Sequence, residues 1–422
     1  MPTVPTKDQT LLVIDAGLFT HVAESLARDF KRTMYWSDPV RSGFPQEKHS
    51  RIGCDLPGIE RIQDVWGALS EGDIDLVAFP DVVTASLASY VKSLGIPVFG
   101  TSKHAAELEL DRWGTRKVLK SIGLAVPEAT RIVGTEDLEK YLRQTSDVYV
   151  KYGRYRGDLE TFHHDDWFTT ESWFHDTVRH LGPSGPEAEF IVEEPIKGVE
   201  AGIDAYSVDG EWPERVMWGY ELKDAGYLGR VDAYDRVPAP LRLVADRLSS
   251  VLKDRGHRGW ISTECRIDRD AVAYLIDPCL RCGSPPSEAW SLLCENQGEI
   301  VSEGARGRIV APEVRGKYAA ELILKSEFAA DHFLALEIPA NVRERIQLHN
   351  HCVIDGKDYT VPIQIPEIGA AVGYGDSIDE AAEQALEAAD ALKAYELDYR
   401  EDAFDEIKKE IEKGRSCGLE WE

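Results

Sequence analysis

Residues 259–285 read GWISTECRIDRDAVAYLIDPCLRCGSP. Two apolar runs, Gly259–Ile267 and Ala273–Asp277, flank the polar triplet DRD, which is the pattern of an antiparallel strand pair closed by a tight turn. The first run carries Glu264 among small and apolar residues. The second ends on Asp277, with Arg281 four positions further on. On paired strands Glu264 and Asp277 fall in the same phase, and two carboxylates turned into one pocket repel unless a proton or a cation lies between them. Magnesium favours such oxygen donors, keeps part of its water and is completed by substrate phosphates. Arg281 then offers a planar fork for a carboxylate or phosphoryl group. The neutral alternative is a solvated hairpin face with scattered charge.

The same stretch contains Cys279 and Cys282 in a CLRC spacing. A structural zinc needs two further ligands in a compact arrangement. Cys265, Cys294, His257, His349 and His351 are available but show no second paired spacing, so zinc at this motif is disfavoured. Redox chemistry expects a helix directly after the first cysteine, and GSPPSE delays it.

Upstream, Val148–Asp158 reads VYVKYGRYRGD. A lysine leaving a strand before a glycine loop can reach phosphates, while glycines let backbone N–H groups approach an anion. Lys151, Gly153, Arg156 and Gly157 are the candidates, although the loop lacks the GxxxxGK[ST] spacing and a solvated hairpin tip reads the same way. The segment Glu193–Glu200, EEPIKGVE, places acids around a proline–glycine connector. Such a connector can line the edge of a purine and present a carboxylate to ribose hydroxyls, or it can simply face water.

The chain has 422 residues, too many for one ordinary core, and two to four domains are expected. Apolar residues make up 43% with 34 Gly and 21 Pro, a globular composition. Residues 1–100 alternate strands (TLLVIDA, RTMYWSD, IDLVAFPD, IPVFG) with helices (HVAESLARDF, TASLASYVKSLG), which predicts a small parallel sheet. Ser102–Gly123 reads as one helix, and residues 241–256 as another. The pattern then changes to paired strands. In the last third KYAAELILKS reads as a helix, EIGAAVGYGDS as a glycine turn, and Ile378–Leu397 as a surface helix.

With 75 acidic against 48 basic residues the formal charge is −27, which opposes contact with a nucleic-acid backbone. No apolar run reaches the length of a membrane span, and the first residues pass directly into a strand, so a cytoplasmic protein without a membrane partner is expected. Seven scattered cysteines do not suggest a disulfide framework.

Taken in order, these motifs resemble the ATP-grasp superfamily, most closely the phosphoribosylamine–glycine ligases and more distantly the biotin carboxylases. LDRWGTRKVLKSIGLAVPEAT (Leu110–Thr130) resembles the entry to the nucleotide domain, VYVKYGRYRGD the phosphate lysine and loop, and FIVEEPIKGVE the adenine hinge. TECRI and IDPCLRCGSP resemble the two metal-bearing strands. The first hundred residues, EIGAAVGYGDSIDEAAEQALEAA and YELDYREDAF resemble the family's outer domains. The resemblance implies an α/β and α+β architecture: a pre-ATP-grasp domain at 1–100, a two-lobed ATP-grasp domain at 101–305 and a C-terminal domain at 306–422. It also implies that Arg112, Lys151, Gly153, Arg156, Gly157, Glu193, Glu194, Ile196 and Glu200 bind ATP. Glu193 would meet the adenine amino group and Glu200 the ribose. Glu264 and Asp277 would hold magnesium, with Lys151 and Arg281 catalytic.

The implied activity is ATP-dependent joining of a carboxylate to an amine through an acyl phosphate, with a homodimer as a common assembly. Alternatives are another acyl-phosphate acceptor, or nucleotide binding without catalysis. Three departures stand out: Arg112 where the family has lysine, Asp277 where it has glutamate, and Cys279 where it has a metal-binding asparagine. A thiol is a poor magnesium donor, so a shift toward manganese is one consequence to expect. GSPP in place of GDPE, and VIDAGLFTHV at the start, alter acceptor recognition, so neither phosphoribosylamine nor glycine is carried over.

Overall fold

The computed structural model describes residues 5–37, 51–153 and 161–421. Short apolar runs near the N-terminus pair in parallel: Ile59–Arg61, Arg32–Ser37, Thr10–Asp15, Leu76–Phe79 and Val98–Gly100, in that spatial order. The side chains of Thr10–Asp15 alternate between two cores, as a strand covered on both faces requires. Leu11 and Val13 pack with Val22 and Leu26 of helix Thr20–Ala27. Leu12 and Ile14 pack with Val65, Leu69, Ala88 and Val91 of helices Val65–Glu71 and Ala85–Ser93. The predicted parallel α/β unit is present.

One residue pair, Gly100 opposite Arg258, joins this sheet to a large antiparallel one. There Val199–Val208 lies between Arg258–Ile267 and Arg215–Leu222, followed outward by Gly226–Ala233, Tyr318–Lys325, Glu367–Gly375 and Ile346–Leu348. Ala273–Cys279 pairs with Arg258–Ile267 from the other side. Helix Ala239–Asp254 buries Leu241, Val244, Ala245, Leu248 and Leu252 at helical spacing in the core of this sheet. A separate four-stranded sheet, Ala129–Val133, Glu189–Glu193, Val148–Tyr152 and Thr161–His164, stands over the large one. Helix Trp167–Leu181, which begins inside the aromatic and acidic stretch His163–Asp176, inserts Phe174 into the core of that small sheet.

Four sequence expectations are corrected. KYAAELILKS is the strand Tyr318–Lys325, not a helix. Its helix-forming residues are overridden because it pairs on both edges, with Gly226–Ala233 and Glu367–Gly375, and buries both faces. EIGAAVGYGDS, read as a turn, forms the strand Glu367–Gly375. Its glycines serve close packing: a Cβ on Gly373 would stand 2.1 Å from the Ala381 carbonyl of helix Ile378–Ala391. Ser102–Gly123 is two helices, Lys103–Leu110 and Arg112–Ser121, because the Asp111 side chain accepts from the Gly114 N–H at 3.0 Å and starts a second helix. The helix predicted to reach Leu397 ends at Ala391.

Candidate active site

The strand pair read from residues 259–285 forms in the expected register, with Glu264 directly opposite Asp277. A register shift between Glu264 and Cys265 follows immediately, and such irregularities turn a strand locally. Lys151, on Val148–Tyr152 of the small sheet, reaches down to Asp277. Its Nζ lies 3.2 Å from Asp277 Oδ2 and 3.3 Å from Glu193 Oε2. Burial opposes its charge, but these two carboxylates outweigh that and raise its pKa above the ordinary value. Asp277 shows the reciprocal effect: burial would raise it, yet Lys151 and Arg112 hold it below the usual carboxylate range. Arg112 Nε is 3.6 Å from Asp277 Oδ1, and its Nη1 donates to the Tyr152 carbonyl at 3.0 Å.

Glu193 lies at the end of its strand with its carboxylate held by Lys151 and, at 2.5 Å, by Arg116 Nη1. Glu194, Pro195 and Ile196 continue from it along the same cleft, and Glu200 begins the next strand. Glu200 is bound by Arg266 Nη2 at 2.7 Å and by Lys223 Nζ at 3.4 Å. Gly153 closes the strand against the Glu189 carbonyl, to which its N–H donates at 2.8 Å. Arg156 and Gly157 lie outside the described residues.

Arg281 is fixed from behind. Its Nε donates to Glu109 Oε1 at 2.9 Å, and Glu109 Oε2 accepts from the Leu280 N–H at 2.8 Å. Despite burial, Glu109 keeps Arg281 charged and raises its pKa. Cys279 faces the same space, and burial pushes its thiol well above the ordinary range, which disfavours the thiolate. Cys282 is buried, and all seven cysteines are free thiols.

Sequence reasoning missed Lys223, Glu221 and Glu109. Lys223 follows the strand Arg215–Leu222, and its Nζ lies 3.0 Å from Glu221, 3.2 Å from Glu264 and 3.4 Å from Glu200. Burial pushes Glu221 up to about 8 in spite of Lys223, with Glu200 and Glu264 adding to the effect. Nothing in YELKDAG marks Glu221 and Lys223 as neighbours of Glu200 and Glu264, which only the strand order supplies, and Glu109 reaches Arg281 from helix Lys103–Leu110.

Two cavities open here. One, about 340 Å³, is lined by Arg112, Lys151, Glu193–Ile196, Glu200, Glu264, Asp277 and Arg281. The other, about 400 Å³, reaches from Glu264 and Arg281 toward Asp204, Ser284, His349 and Glu367. They share Glu200, Lys223, Asp224, Glu264, Cys279 and Arg281, which form the boundary between them. The first suits a nucleotide with its metal. Glu200, Glu221 and Glu264 meet around the single Lys223 ammonium, three carboxylates to one shared cation, and a divalent cation would offset the excess negative charge.

No family model matches the sequence, and no curated protein does. Solved structures do match. Phosphoribosylamine–glycine ligase from Thermotoga maritima matches with a TM-score of 0.72 at 17% identity, over 93% of this chain and 99% of that one. L-amino acid ligase from Bacillus licheniformis matches with a TM-score of 0.60 at 16% identity, over 94% and 100%. The biotin carboxylase domain dimer of the 2-oxoglutarate carboxylase from Hydrogenobacter thermophilus, solved with MgADP, ADP and bicarbonate, matches with a TM-score of 0.66 at 11% identity, over 97% and 99%. At these identities the likeness is one of fold: the chain has the ATP-grasp fold, as the motifs anticipated.

Proposed function

We propose that the protein is an ATP-dependent carbon–nitrogen ligase that joins a small carboxylate to an amine, with release of ADP and phosphate. The observation that carries this reading is the convergence of Lys151, Asp277, Glu264 and Arg281 from two sheets on one cavity, with Glu264 and Arg281 also lining the second. In this reading residues 101–305 form the nucleotide domain, between the 1–100 and 306–422 domains. The Glu193 carboxylate is already engaged by cations, so the backbone of Glu194–Ile196 is the group that meets the adenine edge, and Glu200 meets the ribose. Glu264 and Asp277 would hold Mg2+, which neutralises phosphate charge when bound.

Lys151, released from Asp277 as phosphates arrive, is placed to neutralise them. The substrate carboxylate attacks the γ-phosphorus, the bond to the bridging oxygen breaks, and ADP leaves. The amine then attacks the acyl carbon, phosphate departs with the carbon–oxygen bond pair, and the proton lost from nitrogen leaves with the phosphate. Arg281, locked by Glu109, steadies the negative charge through both steps, and the surrounding walls keep water from the activated acyl group. The carboxylate and amine would sit in the second cavity. A homodimer is the proposed assembly, supported by the dimer of the matched biotin carboxylase domain. Among the described residues no helix is long and apolar enough to cross a membrane.

The test is incubation of purified protein with ATP, Mg2+ or Mn2+, and a matrix of small carboxylates and amines. ADP and phosphate should appear only with both substrates, without accumulation of AMP. AMP and pyrophosphate as products would overturn the acyl-phosphate route. Cys279 at the metal position favours a second reading, nucleotide binding without turnover; tight MgADP binding with no product across the matrix would select it.

A further inference from the structure

Behind the second cavity lies a cluster that the ligase reading does not use. His21 on helix Thr20–Ala27, Glu288 on helix Ser287–Leu293 and His349 just past strand Ile346–Leu348 come from widely separated parts of the chain. Their side chains are 1%, 0% and 2% exposed. Glu288 Oε1 lies 3.8 Å from His21 Nε2 and in direct contact with His349 Nε2. Among the described residues this is the one group of three His, Cys, Asp or Glu side chains whose donor atoms all fall within 4.8 Å of one another.

We propose that His21, Glu288 and His349 bind a divalent transition-metal ion, with zinc as the best match to two imidazoles and one carboxylate. Ligand atoms around a tetrahedral zinc stand roughly 3.4 Å apart. The contacts between Glu288 and the two histidines bracket that value and all three donor atoms lie within 4.8 Å of one another, so modest side-chain shifts complete the set. The surroundings also suit a cation. His349 Nδ1 lies 3.4 Å from Glu367 Oε1 without a hydrogen bond between them, near enough for a small rotation to form the carboxylate–histidine pair that orients a metal ligand. His21 Nδ1 is buried without a hydrogen-bond partner, so the ring's polar contacts lie all on the Nε2 edge that faces Ser287 and Glu288. Ser284 and Ser287 donate to the two oxygens of Glu288 at 2.8 and 3.2 Å and hold the carboxylate in place. Glu321, 1% exposed, adds a further buried carboxyl group beside Glu288. His349, Ser284 and Glu367 line the 400 Å³ cavity, which supplies an entry path and an open coordination position for water or substrate.

The site is separate from the Mg2+ position at Glu264 and Asp277 and does not depend on the ligase reading. The experiment strips the full chain with chelator, then titrates it with Co2+ alone and with Zn2+ alone. One equivalent of Co2+ should bind with the visible absorption of a low-symmetry four- or five-coordinate ion, and Zn2+ should displace it. His349→Gln and His21→Gln should each weaken binding by ~100-fold or more. Asp277→Asn should leave the Co2+ spectrum unchanged. Zn2+ should raise the Tm of the wild type by at least ~2 °C and not that of the histidine variants. Absence of stoichiometric Co2+ uptake by the wild type overturns the proposal even if a variant fails to fold, as does a spectrum retained in His349→Gln.

Discussion

Asp277→Asn separates the charge on the second metal-bearing strand from its shape. Asp277 lies 3.2 Å from Lys151 and 3.6 Å from Arg112. At an effective dielectric of ~20 each pair has about 5 kcal/mol of gross attraction, most of it offset by desolvation. Lys151 keeps Glu193 at 3.3 Å, and Arg112 keeps the Tyr152 carbonyl at 3.0 Å, so neither cation is left alone. The net destabilisation should therefore be roughly 2 kcal/mol, below the ~3–5 kcal/mol of a fully orphaned buried charge. Its pH dependence has a definite sign. Asp277 is held below the usual carboxylate range, so its contribution is present above the unfolded value of ~3.9 and is lost as pH falls through the folded one. Urea denaturation should show the full difference from wild type at pH 7 and a closing gap below pH ~4.

The functional half of the same experiment is calorimetric titration with ADP, with and without Mg2+. Removal of an anionic ligand should weaken Mg2+-dependent binding by ~10–100-fold, about 1.4–2.8 kcal/mol. Metal-free binding should change little. Equal ADP affinity with Mg2+ in wild type and variant, in a protein that remains folded, would refute Asp277 as a metal ligand.

Two further outcomes follow from the geometry. Cys279→Asn replaces a protonated thiol with an amide oxygen donor, and should tighten Mg2+-dependent ADP binding several-fold by calorimetry while leaving metal-free binding alone. His351→Gln tests the docking of the C-terminal region on helix Thr20–Ala27. Burial would lower His351, but Glu24 at 2.9 Å and Asp358 at 2.9 Å, the latter also held by Arg343, push it up to about 9. A raised histidine stabilises fully below its unfolded value of ~6.5 and loses that contribution as pH rises through the folded one. The substitution should cost about 2 kcal/mol in urea denaturation at pH 6 and close to nothing at pH 10.

Much of this architecture was legible because it rests on local order. Alternating strands and helices in residues 1–100, and the DRD-centred hairpin, are set by residue period and turn chemistry within a few residues. That hairpin alone places Glu264 opposite Asp277. Tyr318–Lys325 and Glu367–Gly375 were misread because a strand buried on both faces loses its period of two, and alanine and glycine there answer to the packing of helix Ile378–Ala391.

The amino-acid sequence by itself determined the ATP-grasp fold and the types of side chain at its candidate site. Spacing along strands specifies which residues share a face, and each motif lies within one hairpin or one loop. Only tertiary structure decided the partners: that Lys151 meets Asp277 across two sheets, that Lys223 stands among three acids, that Glu109 anchors Arg281, and that His21, Glu288 and His349 converge. Lys223–Glu221 apart, these are contacts between residues 23 to 328 positions apart in the chain, for which no local period carries information. Coulomb attraction and desolvation act on distance in space, and the fold alone supplies that distance.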